Sequence, residues 1–124
     1  MSMPNSTCPV SYPASSSSSI KEYQAIQHKI AEMGSAVEAA RSLTYRAASA
    51  SDRGDDDAMK LASMAKQFAS VRAVEVADEA VQVHGGPGYV EDNLVEKYYR
   101  DARITKIYEG TNEIQKNIIA RELL

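Results

Sequence analysis

The chain of 124 residues is 44% hydrophobic and 25% charged, which is the composition of one folded globular domain and excludes a disordered or fibrous protein. Fourteen Lys and Arg residues against seventeen Asp and Glu residues give a formal net charge of −3, and no run of basic residues offers the positive stripe that nucleic-acid binding needs. One cysteine and two histidines exclude an internal disulfide and a Cys/His zinc site, and no apolar run reaches the roughly 20 residues that cross a bilayer.

The N-terminal segment is rich in Ser and Pro and ends in the serine run 15–19. Because it contains few apolar side chains to repay the entropy of ordering, we predict a disordered tail over residues 1–19 and a folded domain over residues 20–124. The first 20 residues contain no Lys or Arg, so they lack the charges of a secretory signal or a mitochondrial transit peptide. With its single cysteine, Cys8, the chain fits a reducing compartment, and we predict the cytoplasm or the mitochondrial matrix.

A long amphipathic helix is predicted from Ile20 to about Ala50. Its apolar residues recur at alternating steps of three and four, which places them on one face: Tyr23, Ile26, Ile30, Met33, Val37, Ala40 and Leu43. Gly54 should end the helix in a left-handed cap, and the acidic residues 55–57 place negative charge at the start of the next helix. The pattern indicates a short turn between two antiparallel helices.

The second predicted helix runs from about Asp57 to His84 and carries a second apolar face. Each of the two helices is roughly 40 Å long at about 1.5 Å per residue, which indicates that they pack side by side in a bundle. The segment 84–89 then interrupts the pattern, because three glycines and a proline do not propagate a helix. We predict a structured loop there.

Two shorter helices are predicted after this loop. Asp92 is predicted to cap a helix that extends to about Asp101, and the stretch 103–111 that follows has no clear periodicity. Asn112, with Gln115 three residues later, resembles a capping box for a last helix. The apolar residues of that helix share one face: Ile114, Ile118 and Leu123. No segment alternates as a strand does, so the predicted fold is all-α, an up-and-down helical bundle.

Two places in the predicted bundle are unusual, the glycine loop 85–88 and the joint 107–111. Glycines let a ligand approach the backbone, but a tight turn between helices has the same composition. In the joint, Glu109 follows Ile107 and Tyr108, and an apolar setting raises a carboxyl pKa towards neutrality, as a general base requires. A solvated loop glutamate or a helix-dipole partner explains the same residue. The residue types alone leave these alternatives open and favour the structural ones.

The glycine loop belongs to a longer motif. Residues 82–92 read Gln-Val-His-Gly-Gly-Pro-Gly-Tyr-Val-Glu-Asp, and Lys97 and Asp101 follow at fixed offsets. This run resembles the signature of the acyl-CoA dehydrogenase family. That signature is Gln, two residues, Gly-Gly-x-Gly-aromatic, two residues, an acidic residue, and then a basic and an acidic position. So many constrained positions rarely coincide by chance.

Three further segments are similar to the same family. Residues 100–115 look like the segment that carries the catalytic glutamate in short- and medium-chain members. Residues 119–122 match the end of the domain, and residues 23–33 are similar to its first helix after the flavin-contacting arginine segment. The resemblance covers about residues 20–124. It implies the fold of that family's C-terminal helical domain, an up-and-down bundle that is truncated by one long helix.

The resemblance implies a flavin-dependent oxidation of acyl-CoA thioesters to trans-2-enoyl-CoA, a reaction of fatty acid metabolism. Glu109 takes the position of the family's catalytic base, which removes the α proton while the β hydrogen leaves as hydride to FAD. The backbone N–H of the same residue would bond the thioester carbonyl. Isovaleryl- and long-chain-type members carry glycine at this position, so Glu109 favours the short- to medium-chain type.

By the same resemblance, five residues bind FAD from two subunits. Two of them lie beside the FAD that is bound to their own subunit: Thr111 and Glu113. Three of them reach the FAD of a neighbouring subunit: Gln82, Gly85 and Gly86. A site that is shared in this way requires oligomerisation, so the implied partners are acyl-CoA and further copies of the chain.

The sequence also departs from the family, since it lacks the N-terminal helical domain, the middle β domain and the first long helix of the C-terminal domain. A bundle without one long helix exposes the apolar stripes of the others, which favours a homo-oligomer or missing dehydrogenase domains on another chain. We therefore expect the chain alone neither to bind FAD tightly nor to turn over acyl-CoA. The alternative is a catalytically inactive fragment that acts as a helical oligomerisation or interaction module.

Overall fold

A computed structural model describes residues 19–124, so the predicted tail lies outside the described residues except for Ser19. Four α-helices and two short 3-10 helices make up this part of the chain. In order they are a 3-10 helix at Ile20–Glu22, α1 at Gln24–Arg53, α2 at Ala58–His84, a 3-10 helix at Gly86–Tyr89, α3 at Leu94–Ile104 and α4 at Asn112–Leu123. The described residues form no strand, which confirms the all-α fold. None of these helices is both long enough and apolar enough to span a membrane.

The turn between α1 and α2 is closed by Gly54. Its φ of 68° and ψ of 33° are left-handed, as predicted from its place in the sequence. The Gly54 N–H donates to the Ser51 carbonyl at 3.1 Å, and the Asp55 N–H donates to the Ala50 carbonyl at 2.9 Å. These bonds satisfy the last carbonyls of α1, and an ion pair of 2.6 Å between Arg53 and Asp55 adds to them. The chain reverses here, so α1 and α2 pack as the predicted antiparallel pair.

Two predicted helix starts are wrong. α1 begins at Gln24 rather than at Ile20, because Tyr23 is extended, with φ −79° and ψ 127°, and interrupts the helix. α3 is capped by Asn93 rather than by Asp92. The Asn93 side chain accepts a hydrogen bond of 3.3 Å from the backbone N–H two residues later, which is the contact that defines an N-cap. α3 also continues three residues past its predicted end.

The buried core is small and lies between α1 and α2. Its members come from both helices: Ala47, Ala50, Leu61 and Ala65. Alanine at three of these four positions lets the helices approach closely but buries little apolar area. Three members of the apolar stripe predicted for α1 stay exposed: Tyr23 at 59%, Ile30 at 53% and Val37 at 40%. The described residues therefore leave much of their apolar surface uncovered.

α2 is the central element of the bundle. It packs against α1 on one side and against α3 and α4 elsewhere, whereas α1 and α4 make no contact with each other within residues 19–124. The apolar face predicted for α4 is accordingly only partly covered, since Ile114 is 50% exposed and Leu123 is 61% exposed. The residues between α3 and α4 are thus positioned by what they bond on α2.

Gly88 fits against the last turn of α2 without room for a side chain. A Cβ there would lie 2.7 Å from the His84 Cβ and 2.9 Å from the Val81 carbonyl oxygen, and α2 fixes both atoms. We expect Gly88→Ala to lower the free energy of unfolding by about 1–3 kcal/mol in urea titrations followed by circular dichroism. Gly86→Ala is the control, because a Cβ there meets nothing within 4 Å. Equal stability of the two variants would contradict this packing.

Candidate functional site

The joint before α4 is a compact turn that ends in two left-handed residues. Glu109 has a φ of 55° and Gly110 has a φ of 87°. Among the described residues Glu109 alone combines a side chain with a positive φ, a conformation that costs roughly 1–2 kcal/mol. The Asn112 N–H closes the turn by donating to the Lys106 carbonyl at 3.1 Å. The side chain of Glu109 is exposed, so this chain presents the carboxylate outward.

The carbonyl groups of this turn are held by side chains of two helices. Lys66 of α2 donates its ammonium group to the Gly110 carbonyl at 2.7 Å. The amide of Gln115, on α4, donates to the Glu109 carbonyl at 3.3 Å and lies 3.5 Å from the Gly110 carbonyl. A trans peptide directs its C=O and N–H in opposite directions, so the Thr111 N–H points away from Lys66. The turn is thereby fixed against both α2 and α4.

Asn112 joins α4 to α2 through a chain of hydrogen bonds. Its Oδ1 accepts from the Lys66 ammonium at 3.1 Å, and its Nδ2 donates to the Ser70 hydroxyl at 2.9 Å. Ser70 in turn donates to the Gln67 carbonyl at 3.1 Å. Asn112 is 4% exposed and Ser70 is 5% exposed, so the loss of either partner removes a hydrogen bond from a buried polar group that water does not reach. These bonds give the start of α4 one position on α2.

The predicted capping box at Asn112 and Gln115 is wrong. Thr111 is the N-cap, since its hydroxyl accepts a hydrogen bond of 3.4 Å from the Ile114 N–H. Asn112 and Gln115 turn inward instead, because their amides satisfy groups of α2 and of the Glu109 turn. Thr and Asn are both favoured at N-caps, so the local sequence fits either choice and the tertiary bonds decide between them.

Thr111 and Glu113, two of the predicted cofactor residues, lie together at the start of α4. The Glu113 carboxylate accepts hydrogen bonds from its own backbone N–H and from the Thr111 hydroxyl. These bonds, together with the positive charges of Lys116 and Lys106, hold the pKa of Glu113 below its usual value. An exposed negative charge is therefore fixed at the N-terminal end of α4, where the helix dipole also favours it.

The other three predicted cofactor residues lie at the end of α2. Gln82, Gly85 and Gly86 are all exposed. Gly85 has a φ of 67° and donates its N–H to the carbonyls of Val81 at 3.0 Å and Gln82 at 3.2 Å, so it caps α2. Gly86 has no positive φ, and a Cβ there would meet nothing within 4 Å. The loop is a tight turn between helices, and the backbone of Gly85 and Gly86 is exposed on its outer side.

The two predicted groups do not meet within one chain. Lys66, which bonds the Glu109 turn, and Gln82 are sixteen positions apart on α2, which is roughly 24 Å along the helix axis. The Glu109 turn therefore lies beside the first half of α2, and the glycine loop lies at its far end. Within residues 19–124, no three His, Cys, Asp or Glu side chains are placed to share a metal ion.

One known domain contains both groups. The family model for the acyl-CoA dehydrogenase C-terminal domain matches residues 13–124, which include the glycine loop and the Glu109 turn. The chain belongs to the acyl-CoA dehydrogenase family. The resemblance recognised from the sequence motifs is therefore confirmed, together with the helical fold that it implied.

Individual proteins that this chain resembles support the assignment to this family. The cyclohexane-1-carbonyl-CoA dehydrogenase of Geobacter metallireducens is 50% identical over 103 residues, which cover 83% of this chain and 27% of the relative. The structure of butyryl-CoA dehydrogenase from Megasphaera elsdenii is 41% identical, with a TM-score of 0.84 over 88% of this chain and 28% of that one. The structure of the FAD complex of PigA is 33% identical, with a TM-score of 0.80, and the match covers 84% of this chain and 27% of that one. The chain thus spans about 27% of the length of the curated relative.

Sequence reasoning missed two residues that bond to the Glu109 turn and the start of α4 in this acyl-CoA dehydrogenase domain, Lys66 and Ser70. A signal was present in α2, because these two polar residues stand one turn apart on a helix that is rich in apolar residues, and buried polar groups need partners. Their partners lie more than 40 positions away in the chain, at separations of 42 and 44. No local pattern identifies a partner at that distance.

A groove of about 850 Å³ also lies in the acyl-CoA dehydrogenase domain, between α2, α3 and the loops that flank α3. Apolar and aromatic side chains form much of its wall, among them Tyr89, Tyr99, Ile104 and Ile107. None of the six predicted site residues lines it. The groove and the candidate site are therefore separate features of the surface.

The buried bonds of Asn112 predict a stability effect. Asn112→Ala removes the bonds that its side chain makes with Lys66 and with the buried Ser70, so we expect it to lower the free energy of unfolding by about 1–3 kcal/mol. Asn117→Ala, an exposed asparagine on the same helix, should change it by no more than about 0.5 kcal/mol. Urea unfolding followed by circular dichroism measures both. Equal effects would mean that the buried bonds do not hold α4 on α2.

The hydrogen bonds of Glu113 predict a pH effect. Because its pKa is lowered in the folded state, the stabilisation is complete above the unfolded pKa of about 4.3 and is lost as the pH falls through the lower folded pKa. Carboxyl ¹³C NMR should give Glu113 a midpoint below that of a model glutamate. Thr111→Val, which removes the hydroxyl, should raise this midpoint. An unchanged midpoint in the variant would exclude the Thr111 bond as a cause.

Proposed function

We propose that the chain is the C-terminal part of an FAD-dependent acyl-CoA dehydrogenase, which converts acyl-CoA thioesters to trans-2-enoyl-CoA. The Glu109 turn is the observation that supports this proposal. It presents an exposed carboxylate on a left-handed residue, and side chains of α2 and α4 hold the carbonyls of the turn. Residues in such conformations persist only where their surroundings fix them, and they concentrate at functional sites. The chain spans 27% of the curated relative, so we assign the activity to the whole enzyme.

In this proposal Glu109 removes the α proton of the thioester. Its carboxylate is the proton acceptor, and its backbone N–H has no acceptor among the described residues, so that N–H is free to donate to the thioester carbonyl. Such a bond stabilises the negative charge that develops on the carbonyl oxygen as the proton leaves. When bound, FAD supplies the redox chemistry by accepting the β hydrogen as hydride.

The residues predicted to hold FAD fit that role. Nothing in this chain requires glycine at Gly86, so the missing side chain leaves the backbone open to close approach from outside. Thr111 and Glu113 lie next to the base in the chain, whereas Gln82 lies roughly 24 Å along α2 from Lys66, and Gly85 lies beyond it. This separation supports an assembly in which one FAD contacts the start of α4 in one subunit and the glycine loop of a neighbour. A homo-oligomer, or dehydrogenase domains on another chain, would complete the site.

The position of the base favours a substrate of short to medium chain length. Isovaleryl- and long-chain-type members carry glycine where Glu109 stands, which separates this chain from those types. The match to the butyryl-CoA dehydrogenase structure, at 41% identity, supports the same choice. Butyryl-CoA is therefore the first substrate to test.

A chimaeric enzyme tests the base. Residues 13–124 replace the matching C-terminal segment of the Megasphaera elsdenii enzyme, to which 88% of this chain aligns. We expect Glu109→Gln to lower kcat for butyryl-CoA by roughly 10²–10⁴-fold with unchanged flavin absorbance, because the proton acceptor is lost. Glu122→Gln, an exposed control on α4, should leave kcat unchanged. Full activity of the Glu109→Gln chimaera would rule out this residue as the base.

The second candidate function is a helical oligomerisation or interaction module without catalysis. The exposed apolar side chains of α3 and α4 favour it, for example Leu94 at 61% and Leu123 at 61% exposure. In either case we expect the isolated chain to leave a desalting column without FAD, because its two groups of cofactor residues lie far apart. FAD that stays bound, and is lost on Gln82→Ala or Thr111→Ala, would show instead that this chain assembles the site by itself. An active chimaera would support the enzyme, because a module without catalysis could not supply the base.

A further inference from the structure

We propose that Lys66 is a positioning residue for Glu109 and acts through the Gly110 carbonyl, an inference that rests on the proposed role of Glu109 as the base. The Lys66 ammonium lies 2.7 Å from the Gly110 carbonyl and 3.1 Å from the Asn112 Oδ1. Both acceptors are neutral, and within residues 19–124 Lys66 forms no ion pair. Its charge is thus directed at the carbonyl of Gly110, the residue that follows Glu109.

The Lys66 bond is the strongest of the side-chain bonds that hold this turn. A hydrogen bond from a charged donor is roughly twice as strong as one between neutral groups, and it is also the shortest side-chain bond to the turn. The neutral amide of Gln115 lies farther away, at 3.3 Å from the Glu109 carbonyl and 3.5 Å from the Gly110 carbonyl. Gln115 alone therefore holds the turn weakly.

The geometry connects this bond to the base. Glu109 and Gly110 are both left-handed, so the direction of the Gly110 carbonyl depends on two consecutive positive φ angles. Without Lys66, nothing charged keeps that carbonyl turned towards α2, and Glu109 is free to relax to the negative φ that residues with a side chain prefer. A rotation from 55° to about −60° redirects the Cα–Cβ bond relative to the backbone and moves the carboxylate.

Such a movement affects proton removal more than binding. A misplacement of about 1 Å costs a reaction on the order of 10²-fold in rate, because the reacting atoms must be aligned. The residues proposed to hold FAD, among them Thr111 and Gln82, are not bonded to Lys66, and without Lys66 the start of α4 keeps its bond from Asn112 to Ser70. Loss of Lys66 should therefore reduce kcat and leave KM and the flavin spectrum nearly unchanged, a split that general destabilisation would not produce.

Backbone NMR of the full 124-residue chain tests the positioning directly. A positive φ brings the Glu109 amide proton close to its own Hα, which gives a strong intraresidue cross-peak. We expect this cross-peak in the unsubstituted chain and in Lys60→Met, a control on the same helix, and we expect it to weaken in Lys66→Met. If Lys66→Met does not fold, Lys66→Gln, which removes the charge and shortens the side chain, is measured in the same way. An unchanged Glu109 cross-peak in a folded Lys66 variant overturns the proposal.

Kinetics of the chimaeric enzyme separate this proposal from the one on which it rests. Lys66→Met should lower kcat for butyryl-CoA by roughly 10- to 100-fold without a matching change in KM, whereas Lys60→Met should not lower it. A normal kcat in Lys66→Met, while Glu109→Gln is inactive, overturns the positioning role and leaves the base in place. Activity retained in Glu109→Gln overturns the proposed base, and the NMR result still decides whether Lys66 fixes the turn.

Discussion

The hydrogen bonds from Lys66 and Asn112 place the candidate base, and the rest of the site depends on them. One ammonium group bonds both the Gly110 carbonyl and the Asn112 side chain, so the Glu109 turn and the start of α4 are fixed to α2 at one point. Ser70 extends this contact one turn along α2. Because Asn112 and Ser70 are buried, their polar atoms have few alternative partners, which makes this part of the arrangement specific.

The weak apolar core explains why such polar contacts matter. Alanines make up most of the cluster between α1 and α2, and no large side chain among the described residues is fully buried. Among the helices of residues 19–124, α4 packs against α2 alone, so the apolar residues on its far side, such as Ile114, stay exposed. A domain of this kind gains stability when another surface covers those residues. This agrees with a chain that spans 27% of a longer relative.

The sequence predicted the helices and the two unusual loops but not their detailed capping. The end of α1 was predictable because Gly54 is the residue that the left-handed cap requires. The start of α4 was not, because Thr111 and Asn112 are both favoured N-cap residues. The choice between them depends on Ser70 and Lys66, which lie more than 40 positions earlier. The candidate base came from the family motif, whereas its left-handed backbone and its support from α2 are visible only in three dimensions.

The most direct test of this account is exchange of the substrate α proton. The chimaeric enzyme is incubated anaerobically with butyryl-CoA in D₂O, and the α-methylene signal is followed by proton NMR. If Glu109 is the base, the signal declines with the unsubstituted enzyme and persists with Glu109→Gln at equal protein and bound flavin. Exchange at the same rate in both enzymes would show that another group removes the proton, which would contradict the account.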